Sequence, residues 1–211
     1  MRRQVRANIF EMPRSVGVIR RAAYSFGRRN RRRKLTVLLA FAAHQRVVSV
    51  LCVGVNAKPG VVGNIIERGL EQSGLSVTMS GLSEDVPGWR NYVRADGLAL
   101  PFAPGEFDLV FSNAVIEHVG NEEEQRQFLA EHARVGKHWM ATTPNRLFPI
   151  EAHTHTLFRH CSRRWRDPRP RGGVTRLLSR ADLRAIMPSA GHIVGWVGPT
   201  LTVHSERSAP R

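Results

Sequence analysis

Apolar and polar positions alternate along this chain with two distinct periods. Val47, Val48, Val50, Leu51, Cys52 and Val53 form a β-branched run interrupted only by Ser49 and closed by Gly54, the pattern of a strand buried on both faces. Val61, Val62, Ile65, Ile66 and Leu70 then recur at helical spacing as far as Gly74. The two patterns keep exchanging: strands at 75–81, 91–94, 107–112 and 138–143, a Glu- and Gln-rich helix at 122–135, and a helix at 180–187 with Ser179 as its N-cap. Pro144 stops the 138–143 strand, and 192–197 lies close enough to 200–203 for an antiparallel hairpin. Strands separated by helices need long crossovers. The prediction is therefore an α/β fold, a doubly wound, mostly parallel seven-stranded sheet with helices on both faces and an antiparallel edge strand.

Upstream of the first strand the pattern weakens. A helix at about 32–44 is predicted, and its apolar run at 35–43 is far shorter than the roughly 18–20 residues of a membrane span. The arginine block before it and Ala40-Phe41-Ala42 within it also have the look of a secretory leader, but cleavage there would strip the sheet of a covering helix, so a packed amphipathic helix is expected. Residues 1–34 hold twelve basic residues and one acid, Glu11, and carry +11 of the net +15. They are expected to form a flexible basic arm ahead of a domain at 35–211, with 144–173 as an irregular substrate-side insertion. Such an arm attracts polyanions or an anionic membrane surface without needing specific geometry.

With 211 residues the chain fits one domain, and two cysteines, Cys52 and Cys161, exclude a disulfide framework and zinc fingers. Their scarcity suits a reducing, cytoplasmic setting, with a peripheral place at the membrane surface open to the arm. His153, His155, His160 and Cys161 match no common zinc spacing, and no metal is expected there. Trp89, Trp139, Trp165 and Trp196 are read as core residues.

In open sheets of this kind ligands bind beyond the carboxyl ends of the strands, where strand order reverses. The turn from Gly54 to Gly60 is neither Gly-x-Gly-x-x-Gly nor a Lys-Ser/Thr phosphate loop, which argues against dinucleotides and nucleoside triphosphates. Further on, Asp96-Gly97-Leu98-Ala99-Leu100-Pro101-Phe102 leads into Phe107-Asp108-Leu109-Val110-Phe111-Ser112-Asn113-Ala114-Val115-Ile116-Glu117-His118-Val119. A second block, Thr143-Pro144-Asn145-Arg146-Leu147-Phe148-Pro149-Ile150-Glu151-Ala152-His153-Thr154, follows the fifth long run. From about Val47 to Val203 the chain resembles the class I S-adenosylmethionine-dependent methyltransferases, within them the small branch called methyltransferase type 11. That resemblance implies a Rossmann-like fold and S-adenosyl-L-methionine as cofactor. It places Asp96 against the adenine amino group with the Gly97 amide beside it, Gly54 beneath the methionine portion, and Asn113 among the cofactor contacts. Three positions depart from the family's pattern: Cys52 where an acid is usual, Asn56 where a second loop glycine is usual, and Ser83 where the ribose-binding acid is usual, with Glu84 one residue on.

Methyl transfer from a sulfonium is an in-line displacement by a substrate oxygen, nitrogen or carbon, so the protein aligns the reactants and supplies a base where the nucleophile keeps its proton. His118 is the first candidate base. Glu151 and His153 follow, with pairing of Arg146 to Glu151 as the structural alternative for that loop. The branch implies a small-molecule, glycan or lipid-linked acceptor. Cys52, Asn56 and Ser83 keep a second reading open, a non-catalytic binding protein on the same fold. The basic arm keeps a third, an RNA-associated methyltransferase, although no Asn-Pro-Pro-Tyr-type sequence follows the fourth strand. Arg163, Arg164, Arg166, Arg169, Arg171 and Arg176 read either as an entrance for acidic substrates or as a solvated loop.

Overall fold

A computed structural model describes residues 18–55, 64–84, 88–149, 176–195 and 198–205. Seven strands, β1 (Ser49–Val53), β2 (Ser76–Gly81), β3 (Tyr92–Arg94), β4 (Phe107–Asn113), β5 (Gly136–Pro144), β6 (Gly191–Val194) and β7 (Thr200–Ser205), form one sheet in the order β3-β2-β1-β4-β5-β7-β6. Pairing is parallel from β3 through β5, and β7 runs antiparallel to both β5 and β6. This is the doubly wound, mostly parallel sheet that the alternating pattern predicts, with the β6–β7 hairpin completing its edge.

Successive residues of a strand point to opposite faces, so β1 feeds two cores. Leu51 and Val53 join Val110, Trp139 and Ala141 against Phe128 and Leu129 of α3 (Glu122–Val135) and Leu183 and Ile186 of α4 (Arg180–Ile186). On the other face Val50 and Cys52 join Met79, Leu109, Phe111 and Met140 against Leu38 and Ala42 of α1 (Val18–His44) and Ile66 and Leu70 of α2 (Ile65–Glu71). Each such side chain stabilises the fold by about 1.5–3 kcal/mol when fully buried. Local signals agree with this packing. Asn121 and Glu124 form a capping box at the start of α3, and the expected N-cap Ser179 forms one with Asp182 at α4. At the amino edge Asp108 accepts hydrogen bonds from the Val48 and Ser49 amides, each at 3.0 Å, and pairs with Lys137 at 2.8 Å, joining β1, β4 and β5.

The first helix departs from expectation. It begins at Val18 rather than near Arg32, so the basic segment from Val18 onward is helical. The reason is that the polar residues hide the period. Lys34 and Asn30 belong to the packed face, where Lys34 Nζ donates to Asn113 Oδ1 at 3.0 Å and Asn30 Nδ2 donates to Thr200 Oγ1 at 3.1 Å. Phe41 packs edge-on against His138 and His204 at the opposite end of β5 and β7. The helix therefore runs antiparallel to β5, and its turns before Asn30 lie past the last paired residues, Pro144 and Thr200, at the carboxyl edge. The apolar run read against a leader sequence is packed, with Leu38 and Ala42 buried. No helix among the described residues is long and apolar enough to cross a membrane.

Candidate cofactor cavity and active site

Strand order reverses between β1 and β4, where chain connections leave in opposite directions. A cavity of about 320 Å³ opens there at the carboxyl ends, within the size range of small-molecule sites. Val53 and Gly54 from β1, Gly81 and Leu82 from β2, Asp96 and Gly97 after β3, Val115 and His118 after β4, and Phe128 of α3 line it.

Local geometry accounts for each. Gly54 has φ +75°, and a Cβ at this position would lie 2.6 Å from Val115 Cγ1, so both backbone and space require glycine. A Cβ on Gly97 would lie 2.5 Å from Phe128 Cε2, which lets the chain after β3 pass tightly over α3. Asp96 shapes that turn by accepting the Leu98 amide on Oδ1 at 3.0 Å, while its carboxylate stays exposed to the cavity mouth. His118 closes a short 3₁₀ turn, Ile116–His118, entered through Ala114 at φ +56°. The neighbouring Glu117 is buried and accepts a hydrogen bond from Thr143 Oγ1 at 3.0 Å, tying this turn to β5 and holding His118 at the rim. Sequence reasoning missed Glu117, and the only trace of it in the sequence is an acid set between apolar Ile116 and the site histidine.

Four of the expected residues, Gly54, Asp96, Gly97 and His118, thus share one cavity. Asn113 is turned toward α1, where its Oδ1 accepts from both Lys34 and Thr142. Ser83 and Glu84 follow β2 without lining the cavity: the Ser83 carbonyl accepts from Tyr92 Oη at 3.1 Å, and Glu84 pairs with Arg94 at 2.8 Å on the surface. An exposed pair of this kind contributes at most about 1 kcal/mol and yields readily to another partner. Asn56, Glu151 and His153, together with His155, His160, Cys161 and the arginines from 163 to 171, lie outside the described residues. Arg146 pairs with Asp182 at 3.1 Å. Arg176 bonds Gln125 and pairs with Glu122 at 2.9 Å, which makes it a brace on α3. Among the described residues no group could hold a metal ion.

Beside the cavity, between α1, α2 and the carboxyl ends of β1, β4 and β5, the fold buries charge. Burial pulls Lys34 down to about 8, partly opposed by Glu117 and Glu67. Glu67, 6% exposed, is pushed up to about 7 by burial, and its Oε2 has no hydrogen-bond partner among the described residues. Burial also raises the Cys52 thiol, reinforced by Glu67 and Glu71.

Residues 51–138 match the family model described as methyltransferase domain. That segment has the sequence of a methyltransferase domain. The match covers β1 to the start of β5, the segment that builds the cavity. Among solved structures, magnesium protoporphyrin IX methyltransferase from Synechocystis PCC 6803 with bound SAM superposes with TM-score 0.60 at 14% identity, over 95% of this chain and 88% of that one. A SAM-dependent methyltransferase from Methanosarcina mazei superposes with TM-score 0.53 at 13% identity, over 75% of this chain and 92% of that one. At such identities the likeness is one of fold. No curated protein matches the sequence.

The residues of the methyltransferase domain suit its cofactor. Apolar Val53, Ala95 and Phe128 would wall a heteroaromatic base, and Asp96 and the Gly97 amide would stand at its edge; Glu67, outside the cavity lining, holds a buried carboxylate oxygen with no hydrogen-bond partner among the described residues.

Proposed function

We propose that this protein transfers a methyl group from S-adenosyl-L-methionine to a small-molecule, glycan or lipid-linked acceptor at the carboxyl edge of its sheet. The observation that carries the reading is that Asp96-Gly97 and His118 line one cavity straddling the reversal of strand order. The bound cofactor supplies an activated methyl on a sulfonium. Asp96 accepts from the adenine amino group and orients the adenosine, and Val53, Ala95 and Phe128 exclude water from its faces. His118, at the rim and beside the strand end where an acceptor would approach, takes the proton of an oxygen or nitrogen nucleophile. Glu151 and His153 are the further candidates for that role. Glu84 serves the ribose hydroxyls once it exchanges its surface partner Arg94.

Calorimetric titration with S-adenosylmethionine and S-adenosylhomocysteine tests this. Both bind the unaltered chain, and Asp96→Ala weakens both by about 10- to 100-fold, the worth of a hydrogen bond to a charged group. Unchanged affinity in that variant overturns the site assignment. A non-catalytic reading draws on Cys52, a buried thiol without charge where the family has an acid; absence of any binding by the unaltered chain would favour it.

A further inference from the structure

The cofactor's amino-acid end carries an ammonium and a carboxylate, and neither can be enclosed without a partner of opposite charge. At the end of β1, the described cavity lining is Val53, Gly54 and Val115, which offers no charged side chain. Cys52, the last inward-facing residue of β1 on the α1/α2 side, is an uncharged thiol. A carboxylate that acts on Cys52 comes from another element. Glu67 stands in the first turn of α2, next to Ile66, which packs in one cluster with Cys52 and Leu38. Gly69 allows α2 to approach α1 so closely that a Cβ there would lie 2.2 Å from Leu35 Cδ2, and Glu67 on the same helix is buried. Lys34, in the α1 turn that faces the same space, reaches the end of β4 through Asn113.

An acid with an unpartnered, enclosed oxygen is a standing cost to the fold unless something fills its need, since an unsatisfied buried polar group costs about 1–3 kcal/mol and a charged one more. From this we infer that Glu67 is the partner of the cofactor's ammonium, supplying from α2 the carboxylate that β1 lacks at Cys52, while Lys34 is a cation among the described residues that could serve the cofactor's carboxylate. This rests on the methyltransferase reading and deepens it. It also removes the main objection to that reading, because the altered residue at Cys52 becomes a relocated charge instead of a lost one. The elevated pKa of Glu67 follows from burial without a bonded cation and accords with an acid that ionises when an ammonium arrives.

The experiment compares S-adenosylmethionine with 5′-methylthioadenosine, which keeps the adenosine and sulfur but lacks the amino-acid end. By calorimetry, Glu67→Gln weakens S-adenosylmethionine about 10- to 100-fold and leaves methylthioadenosine within about twofold, and adding Cys52→Asp to Glu67→Gln restores most of the loss. A merely structural glutamate would shift both ligands together and would gain nothing from an acid at 52. Equal loss of both ligands, or an unchanged ratio between them, overturns the inference while leaving methyl transfer intact. If neither ligand binds the unaltered chain, the methyltransferase reading falls and the inference with it.

Should Glu67→Gln not fold, the unaltered chain decides. The groups that act on Glu67 are Arg31 and Lys34 of α1, and Cys52 of β1 feels Glu67 in turn; Glu117 beyond β4 acts on Lys34, and Glu71 of α2 on Cys52. Between pH 7 and pH 6 Lys34 stays protonated, so S-adenosylmethionine affinity relative to methylthioadenosine drops about fivefold as Glu67 takes up its proton. A flat ratio over that interval rules Glu67 out.

Discussion

The two faces of the sheet each bury an apolar cluster and treat charge differently. Under α3 the group enclosed away from the cavity is His132, whose Nδ1 donates to the Phe128 carbonyl at 2.8 Å and which burial holds down at about 4, hence neutral, while Glu117 is buried near the carboxyl edge against Thr143. Under α1 and α2 the core encloses Lys34 and Glu67. Helix α3 follows β4 and is fixed by its caps and its apolar stripe, whereas α1 and α2 converge on the end of β1, where a zwitterionic ligand needs charged partners. A face that only stabilises can dispense with charge; a face that adjoins a charged ligand keeps charge at a cost in stability.

The largest test of this contrast is catalytic. His118→Ala should lower turnover by roughly 100- to 10,000-fold with cofactor affinity nearly unchanged, because the role proposed for the histidine is toward the acceptor and not the cofactor. A loss under about threefold with chemistry rate-limiting would remove His118 from the reaction. Next in size, Asp96→Ala should weaken S-adenosylmethionine and methylthioadenosine alike by about 10- to 100-fold, since its proposed contact is with the adenosine that both share. This is the converse of Glu67→Gln, and the pair of variants separates the two ends of the cavity.

A smaller and purely thermodynamic test compares the faces themselves. His132 has a folded pKa depressed from about 6.5 to about 4, so the unfolded chain binds more protons between those values and stability rises with pH there. Glu67 has a folded pKa raised from about 4.5 to about 7, so the folded chain binds more protons and stability falls as pH rises over that range. Each effect approaches about 3 kcal/mol at full extent. They oppose one another between pH 4.5 and 6.5, where the unaltered chain should show a nearly level denaturation midpoint. His132→Gln should then tilt the profile downward with rising pH, and Glu67→Gln should tilt it upward. Parallel profiles for the two variants in urea denaturation would contradict the assignment of neutral and charged faces.

Asp96, Gly97, Gly54 and His118 were legible because they occupy strand ends and turns, where short-range rules and a family's motif both apply. Glu84 was legible only as a neighbour of the expected position, and its surface pairing with Arg94 follows from β3 lying beside β2. Glu67 and Glu117 carried no local sign of their burial. Polar residues inside an apolar pattern read as solvent-facing until the covering element is known.

By itself the sequence determined the order of strands and helices, the doubly wound sheet and the place of a ligand site at its carboxyl edge, since periodicity and turn residues act over a few positions and strand order follows from connection length. Only the tertiary structure decided how far α1 extends and which charges lie inside. Lys34 meets Asn113 and Thr142 across separations of 79 and 108 residues, and Glu117 meets Thr143 across 26. Whether a charge is solvated or enclosed depends on what the fold brings over it from that distance, and burial, not residue type, sets its protonation and its capacity to meet a charged ligand.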